Sequence, residues 1–151
     1  MQRGNDNMNA GFNAATDQND NWRTPDWLFK ALGTEFAFDF DAAADADNHK
    51  CADWCDNIDE IVLTGKERVF CNPPYSHIEP FVVRALAGDG VWVFILPVRT
   101  RARWFEMLEA ARRAGRVELR WLRKRIAFDP PPGVEESSPR MDTFIAIVRP
   151  R

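Results

Sequence analysis

A chain of 151 residues, 45% of them hydrophobic, can bury one substantial core but leaves little room for a second, so one compact domain is expected. Three cysteines, Cys51, Cys55 and Cys71, with no secretory leader argue against a disulfide framework and for a reducing cytoplasm, and the longest apolar run, residues 91–98, is too short to span a bilayer. The net charge of −3 is uneven: residues 76–151 carry 14 Lys/Arg against 9 Asp/Glu, a half that suits a polyanionic partner or a set of solvated faces.

Residues 1–21 are rich in Asn, Asp, Gln and Gly with almost nothing to bury, and a flexible tail is expected there. From residue 22 a single domain begins. Thr24 is a candidate N-cap, Pro25 suits a first helical position, and Trp27, Leu28, Ala31 and Leu32 have helical spacing up to a stop at Gly33. Residues 36–40, FAFDF, read as a strand ending at the acidic pair Asp39 and Asp41. Between 44 and 66 the pattern is weak, and EIVL at 60–63 is the one strand or helix fragment in view. RVFC at 68–71 is a strand; a helix follows with its cap near Ser76 and Pro80 in the first turn. VWVFILPV reads as a buried strand, and residues 101–115 as a helix closed by Gly115. RVELRWL, RIAF and DTFIAIVR predict three more strands, with a projecting polar loop at 129–140. Strands alternating with helices and then a run of strands predict an α/β sheet whose last strands are antiparallel.

The stretch Asn72-Pro73-Pro74-Tyr75 follows a hydrophobic strand, where ligand sites of open α/β sheets gather. Two prolines remove two backbone donors and stiffen the turn, leaving the Asn72 amide oxygen and the Pro73 carbonyl as acceptors. A planar amine with two hydrogens fits that pair, and Tyr75 offers an aromatic face for a planar ring. Two fixed acceptors would favour a tetrahedral geometry at a delocalised amine and so restore its nucleophilicity.

With Trp22 to Leu32 (W-x-TP-x-x-LF-x-x-L), Phe36 to Ala44 (F-x-FD-x-DAAA), Val69 to Ser76 (VFCNPPYS), Leu96 to Phe105 (LPVRT…WF) and Arg123 to Phe128 (RKRIAF), the chain resembles the phage-type DNA N-6-adenine methyltransferases, the Dam family, over about residues 22–148. The resemblance implies a compact Rossmann-like methyltransferase sheet, mostly parallel with antiparallel C-terminal strands and helices on both faces. It also implies S-adenosylmethionine as cofactor, adenine in DNA as target, a bacterial host cell and a role in protecting DNA from restriction. By similarity, Asn72, Pro73, Pro74 and Tyr75 hold the extruded adenine. Thr24 and Pro25, preceded by Trp22, match the segment that approaches the methionine end of the cofactor. Asp41 with Ala42 and Ala43, and Asp39 just before them, sit where the first strand turns beside it. No G-x-G follows that strand; DAAA stands in its place. An acidic residue is expected at the cofactor ribose or adenine, and Asp59 is preferred to Asp53 and Asp56 because it precedes the strand-like Ile61-Val62-Leu63. Arg99, Arg101, Arg123, Lys124 and Arg125 are the expected phosphate contacts on DNA.

His49, Cys51, Cys55, Cys71 and His77 have poor metal-ligand spacing, and no metal is expected. An acceptor pair does not by itself separate an adenine amine from a glutamine amide, so transfer to protein or RNA stays open. So does a catalytically silent nucleic-acid-binding module.

Overall fold

The computed structural model describes residues 22–131, 133 and 142–151; the expected tail and most of the 129–140 loop lie outside the described residues. In chain order the elements are α1 (Asp26–Phe36), β1 (Phe40–Asp41), β2 (Asp53–Trp54), a 3-10 turn (Ile58–Glu60), β3 (Arg68–Cys71), α2 (Glu79–Ala87), β4 (Val91–Pro97), α3 (Arg103–Arg113), β5 (Val117–Trp121) and β6 (Thr143–Val148). Among the described residues six strands form one sheet in the order β2-β1-β3-β4-β6-β5. The first four are parallel, and β6 runs against both β4 and β5. Hence β5 points the same way as β1 to β4, and only β6 is reversed.

Directly paired residues share a sheet face, so the registers assign the two layers. Asp41, Phe70, Val93, Ile147 and Glu118 lie in one row across the sheet. That face is covered by α1, whose Phe29 ring meets Phe70 edge-on at 5.0 Å and whose Glu35 pairs with Arg120 at 2.6 Å. The opposite face presents Leu96, Phe144 and Trp121 to α3, where Trp104 stacks on Phe144 at 6.4 Å and Phe105 meets it edge-on at 5.6 Å. Helix α2 packs beside α3 on that side. The middle strands β4 and β6 are buried on both faces, which is why they read as unbroken apolar runs.

Several local expectations are corrected. Helix α1 passes through Gly33 and ends at Phe36, with Ala37 in the left-handed region (φ 52°) donating its N–H to the Gly33 carbonyl at 2.8 Å. A helical glycine costs about 1 kcal/mol, whereas burying Phe36 gains about 2 to 3 kcal/mol, so the helix continues. Its buried stripe is Leu28, Leu32 and Phe36; Trp27 is 63% exposed. Thr24 does not cap the helix. Pro25 occupies the N-cap, and α2 starts at Glu79 after Ile78 rather than near Ser76, with Pro80 in its first turn as expected. The strand expected at 36–40 is the two-residue β1, and 60–63 contains no strand, its role passing to the 3-10 turn and to the short edge strand β2. RIAF makes a single bridge position, at Ile126, instead of a strand: Ile126 and Phe128 are buried, and the segment runs on to an isolated bridge between Arg23 and Asp129.

The turn into β3 is organised by Glu67, whose carboxylate accepts from the Thr64 N–H (2.6 Å) and hydroxyl (2.7 Å), the Gly65 N–H (2.9 Å) and the Lys66 N–H (3.1 Å). Desolvation alone would raise its pKa; the hydrogen bonds from Thr64, its own amide and Gly65 outweigh it and bring the group down to about 2. A carboxylate depressed in the folded state contributes stability above its unfolded value and loses it as pH falls towards the folded one. Glu67→Gln should therefore lower the melting temperature at neutral pH, with the gap to wild type closing between about pH 5 and pH 2. A gap that stays constant across that window would show that the carboxylate charge is not the stabilising element.

Candidate active site

The carboxyl ends of β1, β3, β4 and β5 share one edge of the sheet, and the chemically informative residues follow them. Asp41 closes β1, Asn72 follows β3, Arg99 lies two residues beyond β4, and Arg123 lies two beyond β5. The segment before α1 comes to the same edge: the Asn72 amide nitrogen donates to the Thr24 hydroxyl at 2.9 Å. With Nδ2 committed to Thr24, the Asn72 side-chain oxygen is left as the acceptor. The Pro74 carbonyl is taken by the His77 N–H at 2.9 Å, which tightens the turn, while the Pro73 carbonyl has no backbone partner among the described residues.

On one side of this loop is a narrow polar cleft of about 30 Å³ lined by Trp22, Arg23, Thr24, Asp41, Ala43, Asn48, Lys50, Phe70 and Asn72. Asp41 is 2% exposed. It accepts from the Lys50 N–H at 2.9 Å and, more weakly, from the Ala43 N–H at 3.3 Å. Burial raises its pKa against the pull of those two amides and of His49 and Lys50. Ala42 is buried and Ala43 half-buried, and of the two only Ala43 lines the cleft. The Lys50 ammonium is paired with Asp26 at 2.7 Å. On the other side is a wider cleft of about 350 Å³ formed by Tyr75, Ser76, His77, Ile78, Glu79, Pro80, Arg99, Ala102 and Trp104. Asn72 faces the first cleft and Tyr75 the second.

Tyr75 is a core residue, 4% exposed. Its hydroxyl donates to the Ile95 carbonyl at 3.3 Å, and its ring meets Phe128 edge-on at 6.2 Å. The Arg99 guanidinium sits 5.9 Å from the ring centre and donates to the Tyr75 carbonyl at 2.6 Å. Arg99 thus braces the loop. Burial raises the phenol pKa well above its ordinary value, and it pushes the thiols of Cys51, up to about 12, and Cys71 upwards as well, so none of the three is a nucleophile at neutral pH.

The structure brings Trp22, Thr24, Asp41, Ala43 and Asn72 together around one cleft, with Pro25 and Ala42 adjoining it in sequence. It does not bring Asp39 or Asp59 there. The Asp39 carboxylate accepts from the Arg68 N–H at 2.9 Å, and Asp59 is exposed on the 3-10 turn with its N–H bound to the Asn57 side chain. The acidic residue just beyond the carboxyl end of β2 is Asp56. Arg23, Asn48 and Lys50 were missed because their only sequence signal was neighbourhood to Thr24 and Asp41. Of the basic residues, Arg101, Arg123 and Lys124 are exposed, whereas Arg125 is tied to Asp142 at 3.0 Å. Arg116 is spent on the carbonyls of Leu86, Gly88 and Arg149, and Arg120 on Glu35 and Glu118. Among the described residues there is no group of three or more His, Cys, Asp or Glu placed to hold a metal ion, and no helix is long and apolar enough to cross a membrane.

The model of the family DNA N-6-adenine-methyltransferase (Dam) matches residues 11–148. The chain belongs to this family. Its relatives include the DNA N-6-adenine-methyltransferase of Haemophilus phage HP1 (strain HP1c1), 30% identical over 108 residues that cover 66% of this chain and 62% of that protein. Another is the putative methyltransferase YfdM of Escherichia coli (strain K12), 38% identical over 69 residues, 37% of this chain and 71% of that protein. The Dam-family chain thus spans less than two thirds of the phage protein's length. No solved structure matches it. For this Dam-family domain the α/β sheet anticipated from its motifs is the observed one, mostly parallel with its reversal among the C-terminal strands.

Because the Tyr75 ring is enclosed, substitutions there act on folding as well as on any ligand. Tyr75→Phe should cost about 1 kcal/mol for one buried hydrogen bond, and Tyr75→Ala about 3 to 5 kcal/mol for the missing ring. Denaturant unfolding measures both, and an alanine variant as stable as wild type would place the ring outside the core.

Proposed function

We propose that the chain transfers a methyl group from S-adenosylmethionine to the exocyclic amine of adenine in DNA. The observation that carries this reading is the Asn72-Pro73-Pro74-Tyr75 turn, held between two clefts with the Asn72 oxygen directed by the Thr24 bond. Membership of the Dam family supports it. When bound, S-adenosylmethionine supplies an electrophilic methyl group.

The narrow cleft suits the amino-acid end of that cofactor by its chemistry. It is lined by the buried carboxylate residue Asp41, by Arg23 and by the small residue Ala43. Its 30 Å³ admits a small polar group and not a nucleoside, so only the amino-acid end would enter it. Asp41 and Thr24 bind there, while Asp56, beyond β2, is the acidic residue nearest in topology for the ribose.

The chain's part in the chemistry is orientation and polarisation. Asn72 Oδ1 and the Pro73 carbonyl accept the two amine hydrogens, drawing the nitrogen out of conjugation as positive charge develops on it. The two prolines keep backbone N–H groups away, so nothing donates to the nitrogen lone pair. The wider cleft beside Tyr75, about 350 Å³, receives the extruded base. Its stacking surface is Tyr75 only if the ring becomes accessible on binding.

DNA phosphates are held at the same edge by Arg101, Arg123 and Lys124, with Arg99 engaged chiefly in bracing Tyr75. Arg125 is a weaker contributor because Asp142 already neutralises it. Methylation of host-unmodified sites would protect DNA from restriction.

The test is incubation of unmethylated DNA with methyl-labelled S-adenosylmethionine followed by nucleoside analysis. Label is expected in N6-methyladenine, and Asn72→Ala should reduce the rate by roughly a hundredfold, the cost of one transition-state acceptor. Label in another base, or in a protein glutamine and not in DNA, would overturn the substrate assignment.

A second measurement addresses the DNA phosphates. With DNA binding titrated against salt, replacing Arg123 and Lys124 by Ala should lower the slope of log affinity by about 0.7 to 0.9 for each phosphate no longer neutralised, whatever the DNA sequence. Arg125→Ala should change it less. Equal slopes for wild type and the double variant would make these two cations ordinary solvated side chains.

A further inference from the structure

Arg23 is the least explained charge at the site. Its backbone is fixed: N–H and carbonyl exchange two hydrogen bonds of 2.8 Å with Asp129. Arg23 is among the residues lining the narrow cleft, and its Nε is fully buried without a hydrogen-bond partner. Among the described residues it forms no ion pair. The two other charges lining the cleft do not relieve it. Lys50 carries the same sign and is committed to Asp26, and Asp41 accepts only backbone N–H groups and lies outside salt-bridge distance of Arg23. A buried donor on a cation costs free energy until something accepts from it, and a guanidinium presents a planar fork that matches a carboxylate.

We propose that Arg23 is the carboxylate-recognition residue of this cleft, binding the α-carboxylate of the cofactor's amino-acid end while Asp41 faces its ammonium. The inference rests on the reading that the cleft takes S-adenosylmethionine. It assigns to one residue the discrimination between that cofactor and ligands that share its nucleoside and sulfonium but lack the carboxylate. A cation and an anion that line one cleft without pairing with each other are complementary to a zwitterion. A ligand carrying only the ammonium would leave Arg23 unpaired and its Nε unsatisfied.

The bridge to Asp129 anchors residue 23 to the segment whose Phe128 packs on Tyr75, so the guanidinium starts from a tethered position and loses less freedom on pairing.

Calorimetry without DNA tests this with a matched pair of ligands, S-adenosylmethionine and its decarboxylated form. Wild type should bind the decarboxylated ligand about tenfold or more weakly, the scale of one charge-assisted hydrogen bond. Arg23→Gln should weaken S-adenosylmethionine by a similar factor and leave the decarboxylated ligand nearly unchanged, so that the preference collapses. Arg23→Lys, which keeps the charge and loses the fork, should fall between the two. Thermal unfolding of each variant separates weakened recognition from a damaged fold, and the wild-type comparison stands without any variant. Equal binding of both ligands by wild type, or a preference that survives in Arg23→Gln, would overturn the role of Arg23. If wild type binds neither ligand, the cofactor reading of the cleft itself fails, and the assignment fails with it.

Discussion

The hydrogen bond from the Asn72 amide to the Thr24 hydroxyl joins two segments 48 residues apart and makes one site of them. An amide has a donor end and an acceptor end of nearly the same shape, so an unconstrained asparagine can present either. Thr24, 3% exposed, accepts from the amide nitrogen, which leaves Oδ1 as the acceptor end. Everything proposed for Asn72 depends on that choice, because a nitrogen turned towards the target amine would oppose it. The same bond brings the segment before α1 over the end of β3, and so sets one wall of the polar cleft.

Strand polarity does the coarser positioning. Reversal of β6 alone lets β5 run parallel to β1 to β4, and this brings the end of β5, with Arg123 and Lys124, to the edge where Asp41 and Asn72 lie. Had β5 been reversed instead, those cations would stand at the far edge. The central pair β4 and β6 carries the arrangement, with every residue of β6 buried and six paired positions between the two strands.

The strong parts of the fold were legible where one rule acted alone. Helical spacing around Trp104, Phe105 and Leu108, with Gly115 at φ 82° beyond, required no tertiary information. The apolar runs of β3, β4 and β6 were equally plain. What failed to show were elements whose form is set from outside. The two-residue β2 exists because the Cys55 N–H bonds the Asp41 carbonyl and the Ala44 N–H bonds the Cys55 carbonyl; its own residues have no alternation. RIAF has the pattern of a strand but makes only one bridge position, at Ile126, and packs Phe128 on Tyr75. At the site, the tetrapeptide announced itself through local chemistry, two missing donors and an amide. The placement of Asp41 beside it, the enclosure of Tyr75 and the exposure of Arg23 to the cleft are products of packing between distant segments.

That packing also couples the two clefts. Residues 126–129 run from Phe128, against the Tyr75 ring, to Asp129, paired through its backbone with Arg23. A displacement that opened the Tyr75 side for a base would be felt at Phe128, and one that widened the polar cleft at residues 22–24 would be felt at Asp129. Both pull on the same four residues. The polar cleft, about 30 Å³, admits only a small polar group, whereas the wider cleft, about 350 Å³, is bordered by the enclosed Tyr75 ring, so the two differ in access as well as in lining. The prolines at 73 and 74 keep the turn between the clefts stiff, and the bond to Thr24 holds the Asn72 side chain on the polar-cleft side of it.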